Sequence, residues 1–484
     1  MKKEFLAGVA KVAITTDVKE HVNDDLFGKI LVMKQDSTMV MIVSLDAVAI
    51  GGIEEIPDDF FDKFCASMKE KHGIAPGRIL MAASHTHTPP PMLCEPEELM
   101  KRLEGAAAEA IAGMVPALAG SGKGFESKIA ENRTMRMNDG SGWTMRHAHP
   151  CPPNEDVKDT GPIDPEIGIL KLVKESTGEL LAVVFNYACH PLIGVLDGMA
   201  TANYPGVAAK VIEETLGGNV PALFIQGAAG NINEMGYKDF SFPYYMEYYG
   251  MLLGFGVLKK LPEISVSVPE LKMVSKNVIF PRRTDFDERI AEYEKEREEL
   301  VKDFRFNSLD IKTFIPLYMK YLMDPKYPNA FSYQYIQAEK NGDPFWDKLD
   351  KRNQLVLDIY MKNIRNMERI SKLDDDIETS RRHQKINADS GETDIHGELV
   401  GIRVGDLAIL SMPVEPMVEI GLEFKQSSGF RDTMIAGYSN GYMHYGATPE
   451  YYDMESYDTT ECFLAPGWLD VCRENIAEIV KELK

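Results

Sequence analysis

Five apolar residues in a row, Ile79-Leu80-Met81-Ala82-Ala83, set the first condition on this chain. A run of that kind suits a strand buried on both faces, and such a strand needs helices or a second sheet to cover it. The run stops at Ser84-His85-Thr86-His87-Thr88, and prolines 89 to 91 then remove the amide donors that a ladder would require. Residues two apart on extended backbone share a face, so His85 and His87 project together from a strand end. Imidazoles so placed suit a borderline metal such as zinc. Two hydrogen-bonded surface histidines would give the same pattern, so the pair alone does not decide.

The rest of the composition narrows the partners. A chain of 484 residues, 44% hydrophobic and 26% charged, has the make-up of a soluble globular protein, with room for one large domain or two to three ordinary ones. Its formal charge of -22 argues against nucleic acid, which needs a basic footprint, and against anionic membranes. The opening MKKEFLAGVAKVAITT reads as a first strand rather than a targeting segment, and no apolar run is long enough for a bilayer. Six cysteines (65, 94, 151, 189, 462 and 472) lack paired spacing, as expected of reduced thiols in the cytoplasm. Cys189 stands directly before His190 but within an apolar strand, where core packing is the expected role. The expected partner is therefore a small or soluble substrate, with no nucleic acid and no membrane. The sequence leaves the oligomeric state open.

Along the chain, strand-like runs alternate with helical ones. VAKVAIT, KILVMKQ and TMVMIVSLDAVAI precede a helical stretch at 56–73 with Phe60, Phe61, Phe64 and Met68 on one face. Asp46 follows the part of the third run that reads as a buried strand, either as an outer partner of a metal ligand or as a turn residue. A second helix is expected from Glu95 to about Val115, and residues 120–160 read as loop. That loop contains Glu131-Asn132-Arg133-Thr134 and a second His-x-His, His147 and His149. IGILKLV and LLAVVFNYACHP follow, the latter ending at His190. A helix starts near Asn203, and the strand PALFIQ leads into Gly227-Ala228-Ala229-Gly230-Asn231-Ile232-Asn233. No Gly-Lys-[Ser/Thr] follows those glycines, so they suit close backbone approach better than a phosphate cradle. Residues 284–375 change to helical periodicity among many charges (Phe286, Ile290, Tyr293, Leu300, Phe304; then Leu349, Val356, Tyr360, Ile364, Met367) and predict a helical insertion or cap. The chain returns to strands, one of which ends at Glu415, and closes with a helix over 468–483. The expectation is one α/β domain over 1–484, with mixed β-sheets flanked by helices and the cap at 284–375.

His85, His190 and Glu415 thus end three separate apolar strands, where α/β proteins place their ligands. Two histidines and a glutamate form a zinc set that leaves room for water. Six segments in order, SHTHTPP (84–90), NRT (132–134), NYACHP (186–191), FIQGAAGNIN (224–233), MPVEP (412–416) and YSNGYMHY (438–445), resemble the signature segments of the neutral/alkaline non-lysosomal ceramidases, zinc amidases that cleave N-acyl bonds. The resemblance implies zinc held by His85, His190, Glu415 and Tyr445, and a catalytic site that includes His87 and Arg133. Asn233 occupies the position of that family's active-site serine, since the family's Gly-Asp-Val-Ser is here Gly230-Asn231-Ile232-Asn233. Many relatives also carry an acid where Asn203 stands. Two carboxylates and a hydroxyl are therefore amides in this chain. The expected function is a zinc-dependent, amidase-like hydrolase acting on a soluble amide rather than ceramide. The alternatives are a metal-dependent lyase or hydrolase acting on a carbohydrate, and a metal-binding or sensing protein without turnover.

Overall fold

The computed structural model describes residues 4–53, 55–88, 90–144, 152–195, 197–235, 246–454 and 456–484. Pro89, Cys151 and the second His-x-His, at 147 and 149, lie outside the described residues. The chain divides into two compact units, Met1–Arg283 with Glu392–Lys484, and Thr284–Gly391.

In the first unit the opening runs form an antiparallel meander, Phe5–Ala13, Phe27–Gln35 and Thr38–Leu45. Ile79–Ala83 joins Thr38–Leu45 in parallel after the helix Phe60–His72. On the other side of Phe5–Ala13 lie Val115–Phe125, Glu166–Lys174, Leu180–Tyr187 and, parallel to the last, Ala222–Gln226. These eight strands make one sheet whose edges are Ile79–Ala83 and Ala222–Gln226. Strands twist with a fixed hand, and a sheet this wide curls. Here the curl brings one end of the ladder back to the other: Ser44 Oγ donates to the Phe224 carbonyl at 2.6 Å and Lys29 Nζ to that of Ala222 at 2.7 Å. Two histidine-bearing segments that are far apart in hydrogen-bond order become neighbours.

A second sheet, Leu271–Pro281, Asp394–Val404, Leu407–Ser411 and Asp432–Ala436, packs on one face of the first. Between them Leu31, Ile42, Leu80, Val184 and Leu223 meet Val400, Ile402, Ile409 and Met434. Helices cover the outer faces. Phe60–His72 and Pro96–Ala112 set Phe64, Met68, Leu99 and Leu103 against Ile30, Val43 and Met81. Asn203–Thr215 and Met246–Lys260 cover the strands around Phe185 and Phe224, and Val418–Ser427 with Trp468–Leu483 cover the second sheet. This α/β layering explains why Ile79–Ala83 has no polar alternate: all five residues are buried.

Residues 120–160 are not simply loop. Val115–Phe125 is a full strand of the large sheet, and Ala130–Asn132, Thr134–Met137, Gly142–Thr144 and Val157–Thr160 are short strands. The glycines that suggested a loop mark close approach instead. A Cβ on Gly120 would lie 2.0 Å from the Ser265 carbonyl oxygen, and one on Gly122 would lie 2.8 Å from Ile264 Cγ1.

The second unit consists of the helices Phe286–Asp303, Ile311–Met323, Ser332–Asn341 and Phe345–Ser390. Tyr293, Leu373 and Ile377 form its buried centre. The last helix continues past residue 375 to Ser390 because nothing in it breaks the pattern until Gly391, which adopts the left-handed conformation (φ 64°) of a helix terminator. No helix among the described residues is long and apolar enough to cross a membrane.

Candidate metal centre

Backbone hydrogen bonds carry each candidate ligand to the same place. Ser84 N donates to Leu45 O and His85 N to Ala47 O, both at 2.8 Å, so the chain leaves the strand by a sharp bend with His85 at φ 66°. His190 N donates to Ile232 O at 3.0 Å. Gln226 Nε2 ties the two histidine segments together, reaching Cys189 O at 2.8 Å and Ser84 O at 3.2 Å. Glu415–Pro416 pairs in parallel with Tyr445–Gly446, which makes Glu415 and Tyr445 register partners. Gly230 lies against that strand; a Cβ there would be 2.7 Å from the Glu415 carbonyl oxygen. His85, Asn203, Tyr438, Asn440 and His444 all have positive φ. Non-glycine residues seldom adopt that conformation, and they concentrate where a site over-determines the backbone.

The side chains converge on one point. His190 Nε2 lies 3.0 Å from Glu415 Oε2, His85 Nε2 lies 3.2 Å from the same oxygen, and His87 Nε2 lies 2.9 Å from His85 Nε2. The far side of each buried ring is spoken for. His85 Nδ1 faces the Val48 carbonyl at 2.7 Å, and His190 Nδ1 faces those of Ala229 at 2.5 Å and Ile232 at 3.1 Å. Carbonyls only accept, so both Nδ1 atoms carry the hydrogen and both Nε2 lone pairs point at the carboxylate. Three acceptors therefore meet with His85, His190 and Glu415 at 0%, 1% and 2% exposure. Such a set is unfavourable unless a cation lies among them. Zinc bonds of about 2.0–2.1 Å in tetrahedral array separate ligand atoms by about 3.3 Å, close to the 3.0 and 3.2 Å found here. The donor types and their spacing fit the metal.

The electrostatics of two of these groups, Glu415 and His190, keep them unprotonated. Burial pushes the Glu415 carboxyl up, but the adjacent His85 and His190 overcome it and hold it well below the usual carboxylate range. Burial lowers His190 to about 4, against the opposing pull of Glu415. The ring end of His87 is crowded by protein and by the other two imidazoles, which drives its pKa well below the ordinary value although the residue keeps access to solvent. Tyr442 completes the carboxylate by donating to Glu415 Oε1.

Comparison with known proteins places the fold. No family model matches the chain. A stretch of 89 residues, 17% of the chain, is 26% identical to the neutral ceramidase of Mycobacterium tuberculosis (strain ATCC 25618 / H37Rv), and the match spans 14% of that protein. The whole chain aligns with the crystal structure of neutral ceramidase from Pseudomonas aeruginosa at a TM-score of 0.64 and 14% identity, covering 75% of that protein. The chain has a neutral ceramidase-like fold. A ceramidase complexed with C2 gives a TM-score of 0.60 at 15% identity, again over the whole chain and 75% of the other.

Around the His85, His190 and Glu415 centre the remaining candidates fall into place unevenly. Tyr445 stacks on His190 with ring centroids 6.5 Å apart, and its hydroxyl is hydrogen-bonded to Arg133; burial holds that hydroxyl well above the ordinary tyrosine value. Arg133 is 4% exposed and is ion-paired through Nη2 with Asp458, which is fully buried. Arg133 Nη1 reaches Asn233 Oδ1 at 3.4 Å, and its Nε has no partner among the described residues. Burial works against the Arg133 charge, yet Asp458 and Tyr445 hold its pKa well above the usual value. Asp46 is not attached to a ligand: its Oδ2 accepts from Phe27 N at 2.8 Å, while the His85 ring is held by Val48 O instead. The turn reading of Asp46 is the one the structure supports. Cys189 is core, with burial pushing its thiol far above the ordinary range.

The amides have distinct surroundings. Asn231 is spent on the fold: its Oδ1 accepts from Val418 N, and its Nδ2 donates to Glu419 at 2.9 Å and to the Tyr451 hydroxyl at 2.8 Å. Asn203 accepts from Tyr204 N, but its buried Nδ2 has no partner among the described residues. Sequence reasoning missed Asp458, Tyr438, Tyr442 and Gln226. Gln226 and the two tyrosines lay inside quoted segments, FIQGAAG and YSNGYMHY, whereas Asp458 is a lone acid whose partner lies 325 positions away.

Proposed function

We propose that this chain is a zinc-dependent hydrolase that cleaves an amide in a small or soluble substrate rather than in ceramide. One observation carries the reading: the buried convergence of His85 Nε2, His190 Nε2 and Glu415 Oε2, all acceptors. Zinc, when bound, lowers the pKa of water and polarises a carbonyl. Tyr445, as the register partner of Glu415, is the fourth candidate ligand. The His87 ring is held neutral, because its pKa lies well below the ordinary value, so it can take a proton from water and return it to a leaving nitrogen. Arg133 is neutralised by Asp458 and keeps an N–H at Nε that has no partner among the described residues, which suits a neutral carbonyl oxygen better than a substrate carboxylate. Asn233 can orient a substrate through its amide but cannot relay a proton as a serine does. A carbohydrate substrate draws less support, because both side-chain N–H groups of Asn231 are already donated within the fold.

The test is metal analysis with a substrate panel. Purified protein should hold stoichiometric zinc that His190→Ala loses, and a chelator should abolish turnover of acyl-amides. In detergent-dispersed ceramide, turnover should fall two to three decades below the roughly 10 per second typical of enzymes. Full zinc occupancy in His190→Ala, or acyl-amide turnover indifferent to chelation, would overturn the proposal.

A further inference from the structure

Tyr438 stands against His85 with a hydroxyl that no contact among the described residues accounts for. Its ring centroid lies 4.2 Å from that of His85 and 6.1 Å from that of His190, and the residue is 0% exposed. Both of its peptide groups are pinned. Its N donates to Val414 O at 2.9 Å and its O accepts from Ala83 N at 3.1 Å, which joins the segment leading to Glu415 to the strand leading to His85. The backbone sits at φ 53°, an unfavourable conformation for a bulky side chain. The hydroxyl has no hydrogen-bond partner among the described residues, and a buried O–H left unsatisfied works against folding. Phenylalanine would fill the same volume without that disadvantage. Glu415 has no need of this donor, because Tyr442 takes Oε1 and the two imidazoles face Oε2. A strained backbone and an orphan donor beside three converging acceptors serve a partner that arrives from outside.

We propose that the Tyr438 hydroxyl donates a hydrogen bond to an oxygen of the ligand held at His85, His190 and Glu415, and so selects carbonyl- or carboxylate-type oxygens at that position. The inference rests on the zinc reading of the site. It goes further by naming a substrate-contacting residue and the atom type it recognises.

Tyr438→Phe removes only the hydroxyl. Zinc-loaded wild type and variant would be titrated with acetohydroxamate, a small oxygen-donor ligand for zinc, by calorimetry. Zinc affinity itself would be measured by competition with a chromophoric chelator, and the metal-free proteins compared by thermal melting. The expected results are a loss of hydroxamate affinity of about 10-fold or more, as for a hydrogen bond to a charged acceptor, unchanged zinc affinity, and a metal-free melting temperature equal to or above that of the wild type. Equal hydroxamate affinity in both proteins would overturn the proposal. So would a lower melting temperature in Tyr438→Phe, which would mean that the hydroxyl is bonded within the fold. Wild-type protein that takes up no stoichiometric zinc would instead overturn the metal reading, and that is read before any variant is made.

Discussion

Replacing Asp458 by asparagine should be among the most damaging single-atom changes in this protein. The carboxylate is paired with Arg133 Nη2 at a place where the two side chains are 0% and 4% exposed. Neutralising one member of a buried pair leaves the other charge without compensation, at a cost of about 3–5 kcal/mol. The rings of Tyr445 and Tyr457, 5.3 and 5.7 Å from the guanidinium carbon, soften the environment of Arg133, but they do so already in the wild type and offer nothing new to the variant. The oxygen of the introduced amide would still accept from Nη2, so the lower end of that range, about 3 kcal/mol, is expected. The reverse change should be milder. Arginine cannot shed its charge, whereas a stranded Asp458 can take up a proton, and burial already raises its pKa. Arg133→Met should therefore cost less than Asp458→Asn, and the double change Arg133→Met with Asp458→Leu less than the sum. Urea unfolding followed by fluorescence of Trp468, which is buried in the same unit, measures every protein in the set. An Asp458→Asn protein within about 0.5 kcal/mol of the wild type would refute the reasoning, as would strict additivity in the cycle.

Three further outcomes follow from single positions. Burial raises the Glu234 carboxyl from 4.5 to about 8, and its Oε2 has no partner among the described residues. The folded state then binds one proton more at this residue than the unfolded chain between those values, so the contribution of Glu234 to stability is fully present below about pH 4.5 and is lost at up to about 1.4 kcal/mol per pH unit as the pH rises to about 8; Glu234→Gln should remove that part of the slope and melt higher at pH 8, and identical pH profiles would count against it. Asn231→Asp, which restores an acid of the ceramidase pattern, should not restore activity: it sets a carboxylate against Glu419 and removes the donor that Glu419 and Tyr451 share, costing about 1–3 kcal/mol in a denaturant titration. Gly230→Ala should fold but weaken zinc by roughly 10- to 100-fold, because its Cβ would lie 2.7 Å from the Glu415 carbonyl oxygen and displace the strand that aims the carboxylate; unchanged affinity in a chelator competition would exclude this.

What the sequence disclosed followed from how local its signals were. Apolar runs that stop at a histidine or a glutamate can be recognised residue by residue, and His85, His190 and Glu415 do meet in space. Helical periodicity over 284–375 was equally local, although the final helix carries on to Ser390. The strand Val115–Phe125 was hidden because its glycines are there for Ser265 and Ile264, which pack on it from more than a hundred residues away. Asp458 was hidden for the same reason, since only the fold tells it apart from any other acid. Asp46 shows the opposite failure. A strand-end acid near a histidine invited a role beside the metal, and the backbone N–H of Phe27 claimed it first.

The distance along the chain between His190 and Glu415, 225 positions, has a bearing on synthesis. At about 5–20 residues per second, ribosomes would need roughly 10 to 45 seconds to supply the carboxylate after the second imidazole has emerged. Throughout that interval the nascent chain carries His85 and His190 but lacks the negative charge and the tyrosine-rich wall that would close round them. On the proposed zinc reading, completion of the site is thus a late event in the life of the polypeptide. A cell that starves translation or truncates the message before residue 415 would accumulate chains that carry the imidazoles of His85, His87 and His190 without the carboxylate that completes the site.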